Sequence, residues 1–256
     1  MKKLTIAPLF LALSGIMLFM ACEKNDLRLT EFDLPGDKSF VKFAMFSPPV
    51  SGAITTVMIK VNDIKINGAS TAVHNGYFPT FGFADYAAVT PGGTFKLSLP
   101  NTGTGNDSVV LFTGTLAIES TKSYTVVLAD TGINRTLFSV SDENIAIPDS
   151  GFASVRLINS SPNAGLLNLI RIDSTSPTTV TRDTLVRNIA FKTGSAFVRI
   201  PFGSFRYRVI TDAGVVFAIN NSVNIANRRS ATLFSTGFVT GLGNFIPALT
   251  PPLLNK

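Results

Sequence analysis

Cysteine is almost missing from this chain: of its 256 residues only Cys22 is one. An internal disulfide is therefore excluded, and buried apolar surface must hold the fold. Histidine is as scarce, with His74 alone, so no multi-histidine metal centre can be built and a Ser-His-Asp triad has a single imidazole available. His74 lies in "TAVHNGYF", beside an Asn75-Gly76 turn signal, and reads as a polar loop residue. Tryptophan is absent. That argues against the indole platforms on which neutral sugars stack, leaving Tyr77 and Tyr86 as substitutes. Carboxylates are few, 16 in all. The adjacent pair Asp142-Glu143 precedes a Pro148-Asp149 junction and reads as a solvated linker rather than an acid/base pair. The Gly-rich stretch Asn101 to Ser108 is followed by the strand-like Val109-Val110-Leu111-Phe112, so it lacks the helix that a phosphate loop needs. Asn101, Asn106 and Asp107 offer oxygens to calcium, but a hairpin loop is the plainer reading. The sequence thus gives no catalytic residue, no metal ligand set and no cofactor motif.

What is present begins at the N-terminus. Met1-Lys2-Lys3 is basic, and Leu4 to Ala21 is almost wholly apolar. This is the layout of a secretory signal peptide, with a membrane-spanning helix as the competing reading. Leu18-Phe19-Met20-Ala21-Cys22 resembles a bacterial lipobox, with Phe19 where a smaller aliphatic residue is commoner. On that reading the one thiol carries lipid, residues 1–21 are removed, and residues 22–37 are a polar tether. The expected location is the cell envelope, anchored by lipid to the outer membrane, on a face that the sequence does not distinguish.

Beyond residue 37 no amphipathic helical period appears. Runs of five to eight residues rich in Val, Ile, Phe and Thr alternate with Gly/Asn/Pro/Ser clusters, as in "FKLSL", "SYTVVLA" and "SFRYRVIT". This predicts an all-β chain. The runs also recur. "FVKFAMFSP" from Phe40 aligns with "SVRLINSSP" from Ser154, and Ile59-Lys60-Val61-Asn62 with Ile170-Arg171-Ile172-Asp173. "PGGTFKLSL" from Pro91 aligns with "PFGSFRYRV" from Pro201, and Lys122-Ser123 with Arg229-Ser230. Four matches in one order imply two tandem immunoglobulin-like antiparallel β-sandwiches, at 38–148 and 149–246, followed by a Pro-rich tail at 247–256. The Pro-x-Gly-Thr/Ser-Phe element is expected to close a hairpin. The tail "FIPALTPPLLNK" is a candidate contact for a larger surface assembly.

A first strand ending in Ser-Pro, an "IKVN" or "IRID" strand, the P-x-G-T-F element and a late "SYTVV" strand together resemble the domain-of-unknown-function family 4397. The resemblance spans roughly residues 39–241. The histidine common before Ser-Pro in the family is missing here, where Met45-Phe46 and Asn159-Ser160 stand. The resemblance implies an exported, often lipid-anchored β-sandwich, and no catalytic residues.

Charge is unevenly spread. Residues 38–148 hold seven basic and seven acidic side chains, whereas Asp149 onward holds eleven basic, nine of them Arg, against four acidic. Strand alternation predicts that Arg199, Arg206 and Arg208 share the outer face of one hairpin, and that Arg156 and Arg171 also point outward. Lys42, Lys60 and Lys96 are the matching positions in the first repeat. The function expected is a non-enzymatic binding or structural module of the envelope. Its basic second repeat would meet an anionic envelope polymer, either an acidic polysaccharide or a phosphorylated lipid headgroup, and no nucleic acid. The alternatives are a hydrolytic enzyme with a dispersed site around His74, or a subunit of a surface assembly.

Overall fold

A computed structural model of the chain describes residues 36–47, 57–67, 76–79, 86–100, 107–174, 180–241 and 245–255. The leader and tether with Cys22, His74, and the loop with Asn101 and Asn106 lie outside them. The strands of the first repeat are β1 (Ser39–Met45), β2 (Met58–Val61), β3 (Ile64–Lys65), β4 (Gly76–Phe78), β5 (Ala87–Val89), β6 (Thr94–Pro100), β7 (Asp107–Thr115), β8 (Ser123–Ala129) and β9 (Thr136–Ser141). Those of the second are β10 (Phe152–Asn159), β11 (Leu167–Ser174), β12 (Val180–Ile189), β13 (Val198–Pro201), β14 (Gly203–Thr211), β15 (Val216–Ile225), β16 (Ser230–Thr236), β17 (Ala248–Leu249) and β18 (Leu253–Leu254).

The chain is all-β, with a β-sandwich in each repeat. In the first, β4 and β5 flank β1, followed by β8 and β9, and this sheet faces β3-β2-β6-β7. In the second, β13-β10-β16 is extended by β17 and β18, and it faces β12-β11-β14-β15. One departure from the antiparallel expectation recurs: the first strand of each repeat pairs in parallel with a late one, β1 with β8 and β10 with β16. Each sandwich closes on its own core, around Phe43, Ile59, Phe95 and Val126 in the first and Leu157, Leu169, Tyr207 and Leu233 in the second.

A third core explains a pattern in the sequence. β8, β10 and β16 are buried at nearly every residue, without alternation. A strand reads this way when both faces of its sheet are covered. The outer faces of the β1-β8 and β10-β16 sheets pack on each other through Ala44, Phe46, Val127, Ile158, Phe234 and Leu253. The Phe46 and Phe234 rings lie 4.9 Å apart between centroids, in the offset range that favours aromatic pairs. The result is four sheets in layers, and residues 35–256 form one compact unit.

Two sequence expectations are corrected by this topology. The Pro-x-Gly-Thr/Ser-Phe element is a corner, not a hairpin. β5 pairs with β1 while β6 pairs with β2 and β7, so Pro91-Gly92-Gly93 carries the chain from one sheet to the other. Pro201-Phe202-Gly203 does the same, with β13 on β10 and β14 on β11. Glycine is needed for the bend: Gly203 has φ 130°, and a Cβ on Gly93 would sit 2.8 Å from Val61 Cγ1. The tail is likewise not a free contact segment. β17 and β18 pair with β16, and Leu249, Leu253 and Asn255 are buried.

Candidate functional site

The strand registers relate the two repeats residue by residue. Lys42 is opposite Thr125 as Arg156 is opposite Thr232, and Tyr124 is opposite Ser141 as Ala231 is opposite Leu254. Hence Lys42 corresponds to Arg156, Thr125 to Thr232, Ser141 to Leu254 and Asp142 to Asn255. Contacts across the junction then occur in reciprocal pairs. Arg156 Nη1 donates to the Ser141 carbonyl at 2.9 Å, and Lys42 Nζ donates to the Leu254 carbonyl. Within its own repeat, each of these cations also covers an aromatic ring, Arg156 over Phe197 at 4.7 Å and Lys42 over Tyr86 at 4.5 Å, while the carbonyls they reach are exchanged between the repeats. Such exchange is the mark of an approximate two-fold relation, here within one chain.

The relation breaks at its centre. Asp142 Oδ1 accepts from Arg156 Nη2, while Oδ2 accepts from Thr125 Oγ1 at 2.8 Å, Tyr86 Oη at 3.0 Å and Asn255 Nδ2 at 3.4 Å. Thr232 takes the Arg156 Nε–H at 2.8 Å and donates to Asn255 Oδ1 at 2.6 Å. The Arg156 and Asp142 side chains are 2% and 0% exposed. Asp142 is therefore not the solvated linker residue the sequence suggests. Burial, followed by the Asp142 charge, pushes the Tyr86 hydroxyl well above the usual phenol range. Burial does the same to Tyr77, whose hydroxyl lies 2.8 Å from Thr250 Oγ1 and donates to the Pro251 carbonyl at 2.9 Å. Both tyrosines, candidates for sugar platforms by sequence, are spent on the junction.

The five arginines expected to point outward are distributed over four places. Arg156 does point away from its own core, as alternation requires, but the face it points to is covered by the first repeat. Lys42, 1% exposed, is covered in the same way. Arg171 points the other way. It pairs across with Tyr207, and Leu169 with Val209, all on the core face. In the first repeat Ile59 is opposite Leu97, and Leu97 occupies the Tyr207 position, so Arg171 stands where the first sandwich has Ile59. The sequence match is one residue out of structural register, and a one-residue slip exchanges the faces. Arg171 is held inside by Asp173 at 2.9 Å and by the Phe205 ring at 5.0 Å. Arg199 is exposed but belongs to the β10 sheet, not to that of Arg206 and Arg208. It stacks on Phe152 at 3.5 Å and pairs with Asp149 at 3.2 Å.

Arg199 and Arg156 border a cleft of about 580 Å³ under the segment 143–149, with Glu143, Asn144 and Phe197 on its walls. Both of its arginines are paired with carboxylates, Arg156 with Asp142 inside the junction and Arg199 with Asp149 at the surface. No three His, Cys, Asp or Glu side chains group as a metal site among the described residues.

Arg206 and Arg208 remain, on the outer face of the β12-β11-β14-β15 sheet. There they are joined by Arg182, which the sequence reading did not single out. Arg182 and Arg206 are both opposite Ile172, and Arg208 is opposite Ile170. Arg182 is found only once β12 is paired, because a bulge between Leu167 and Ile170 upsets its alternation with β11. None of the three forms an ion pair among the described residues, and Arg208 Nε is buried without a partner. The first repeat carries Lys65, Lys60 and Lys96 along the corresponding row, with Lys96 paired to Asp63.

Comparison with known proteins gives a family and little more. The model of the family described as "Domain of unknown function (DUF4397)" matches residues 54–170, parts of both repeats. No curated protein matches the chain. Among solved structures, a leucine-rich repeat protein from Bacteroides thetaiotaomicron is 12% identical at a TM-score of 0.20, over 77% of this chain and 26% of that one. The chain thus spans about a quarter of that protein. A CBM26 module from Eubacterium rectale Amy13K, in complex with maltoheptaose, is 12% identical at a TM-score of 0.22, over 81% of this chain and 99% of that one. Likenesses this slight establish neither fold nor ligand.

Proposed function

Since the family model described as a domain of unknown function (DUF4397) matches residues 54–170 of the chain, we propose from its geometry that it is a non-catalytic binding module of the cell envelope. It is tethered by lipid on Cys22 and holds an anionic ligand on the outer face of its second sandwich. One observation carries the reading: Arg182, Arg206 and Arg208 stand together on that face without acidic partners among the described residues. Guanidinium groups bind carboxylate and phosphate in bidentate fashion and are the natural hosts for either. The junction supports the reading indirectly, because it consumes Lys42, Arg156 and Asp142 in structure and draws on none of the three arginines of this face.

The test is retention on immobilised polygalacturonate. The chain should bind at low salt and elute as screening shortens toward a Debye length of about 8 Å near physiological ionic strength. Arg182→Ser/Arg206→Ser/Arg208→Ser should lower retention at least about tenfold, equivalent to about 1.4 kcal/mol. Equal retention of variant and parent, or no retention of the parent at low salt, overturns the proposal. The lipid is checked separately: labelled palmitate should enter the parent and not Cys22→Ala.

A further inference from the structure

The three arginines do not stand on a polar surface. Read across the register, the outer face of the β12-β11-β14-β15 sheet consists of rows. One row is Arg182, Ile172, Arg206. The next is Thr184, Ile170, Arg208, Ile219, and the third is Asn168, Ile210, Val216. Val216 and Ile219 are each 45% exposed, and neighbouring Val215 is 61% exposed. β-branched aliphatics thus extend from one edge of the sheet toward the arginines, and at that edge Val215, Val216 and Ile219 are open to solvent.

A polysaccharide carrying carboxylates is hydrated along its length and gains nothing from Ile219 or Val216. A bilayer with anionic headgroups satisfies both halves of the face. Its phosphates meet the guanidiniums, and the boundary between headgroups and acyl chains takes the aliphatic side chains. Arg suits this position, because its apolar stem lies along the isoleucines while its head reaches phosphate.

We propose that this face docks on an anionic lipid surface through Arg182, Arg206 and Arg208, with Val216 and Ile219 entering the interfacial layer. The inference rests on the anion-binding reading above and narrows its ligand from anions in general to phosphate-bearing lipid. Each basic residue near an anionic surface adds attraction, and the two aliphatics contribute through burial.

The test uses the chain from residue 22 onward with Cys22→Ser, so that no acyl chain contributes. Sedimentation is measured with vesicles of phosphatidylcholine doped with phosphatidylglycerol, and with phosphatidylcholine alone. Retention on polygalacturonate is measured in parallel. The parent should sediment with the anionic vesicles only. Val216→Ser/Ile219→Ser should weaken vesicle binding about tenfold or more while leaving polygalacturonate retention unchanged. Arg206→Ser/Arg208→Ser should weaken both. Ile219→Ser alone, a single exposed change, guards against misfolding of the double variant and should give an intermediate loss. Unchanged vesicle binding by the aliphatic variants, or a parent that binds polygalacturonate but not anionic vesicles, overturns the lipid inference and leaves the anion-binding proposal standing. A parent that binds neither overturns both.

Discussion

Asp142 is the residue on which the junction turns. It is fully buried, and its two oxygens serve Arg156, Thr125, Tyr86 and Asn255. Removing one member of such a pair leaves a buried charge uncompensated, at a cost of about 3–5 kcal/mol. We expect Asp142→Asn to lower stability to denaturant by an amount of that order. Asn255 is its counterpart and lies against it at 3.4 Å. Asn255→Asp alone should therefore destabilise, by setting two carboxylates side by side. In the Asp142→Asn background the same change should restore stability, because it returns one acid to the reach of Arg156 and Lys42. Additive losses in this cycle would refute the reciprocal relation. The tyrosines make a second prediction. Burial raises the Tyr77, Tyr86 and Tyr207 hydroxyls above an unfolded value of about 10. A raised value means full stability below about pH 10, lost as pH rises beyond it, by about 1.4 kcal/mol per pH unit for each tyrosine. Denaturation midpoints measured from about pH 8 to 11 should fall steeply at the alkaline end, and Tyr77→Phe should flatten that limb.

At the scale of the element, β17 and β18 complete the second sandwich, and with the residues beside them they bring Leu254, Pro251 and Asn255 to accept hydrogen bonds from Lys42, Tyr77 and Thr232. A chain ending at Pro247 loses them, leaving β16 as a bare edge. It should bind a hydrophobic dye and self-associate, as measured by fluorescence and light scattering. Leu253→Ala, at a side chain 2% exposed, should cost about 2–5 kcal/mol. The corner at Gly203 has a narrower requirement. Its φ of 130° is almost closed to residues with a Cβ, so Gly203→Ala should cost about 1–3 kcal/mol, with the melting temperature as readout.

For the whole molecule, a shared apolar layer and a shared ion pair predict one cooperative transition, with calorimetric and van't Hoff enthalpies in agreement. Two resolved transitions would show that the sandwiches fold independently. The sequence by itself determined the strands, the duplication and the all-β class, because period-2 alternation and turn residues are local signals. It also determined the orientation of Arg156 relative to its own core, since alternation sets that within a single strand. Only the tertiary structure decided what lies on the other side. Solvent and a second sheet impose opposite demands on an outward basic residue, and nothing near Arg156 in the chain distinguishes them until Asp142 is brought to it. Arg171 was misplaced for a related reason: its face depends on which residue of β14 it pairs with, and pairing is a property of two strands. The grouping of Arg182 with Arg206, and of both with Ile219, arises in the same way, from three strands brought into register by hydrogen bonds that no single segment encodes.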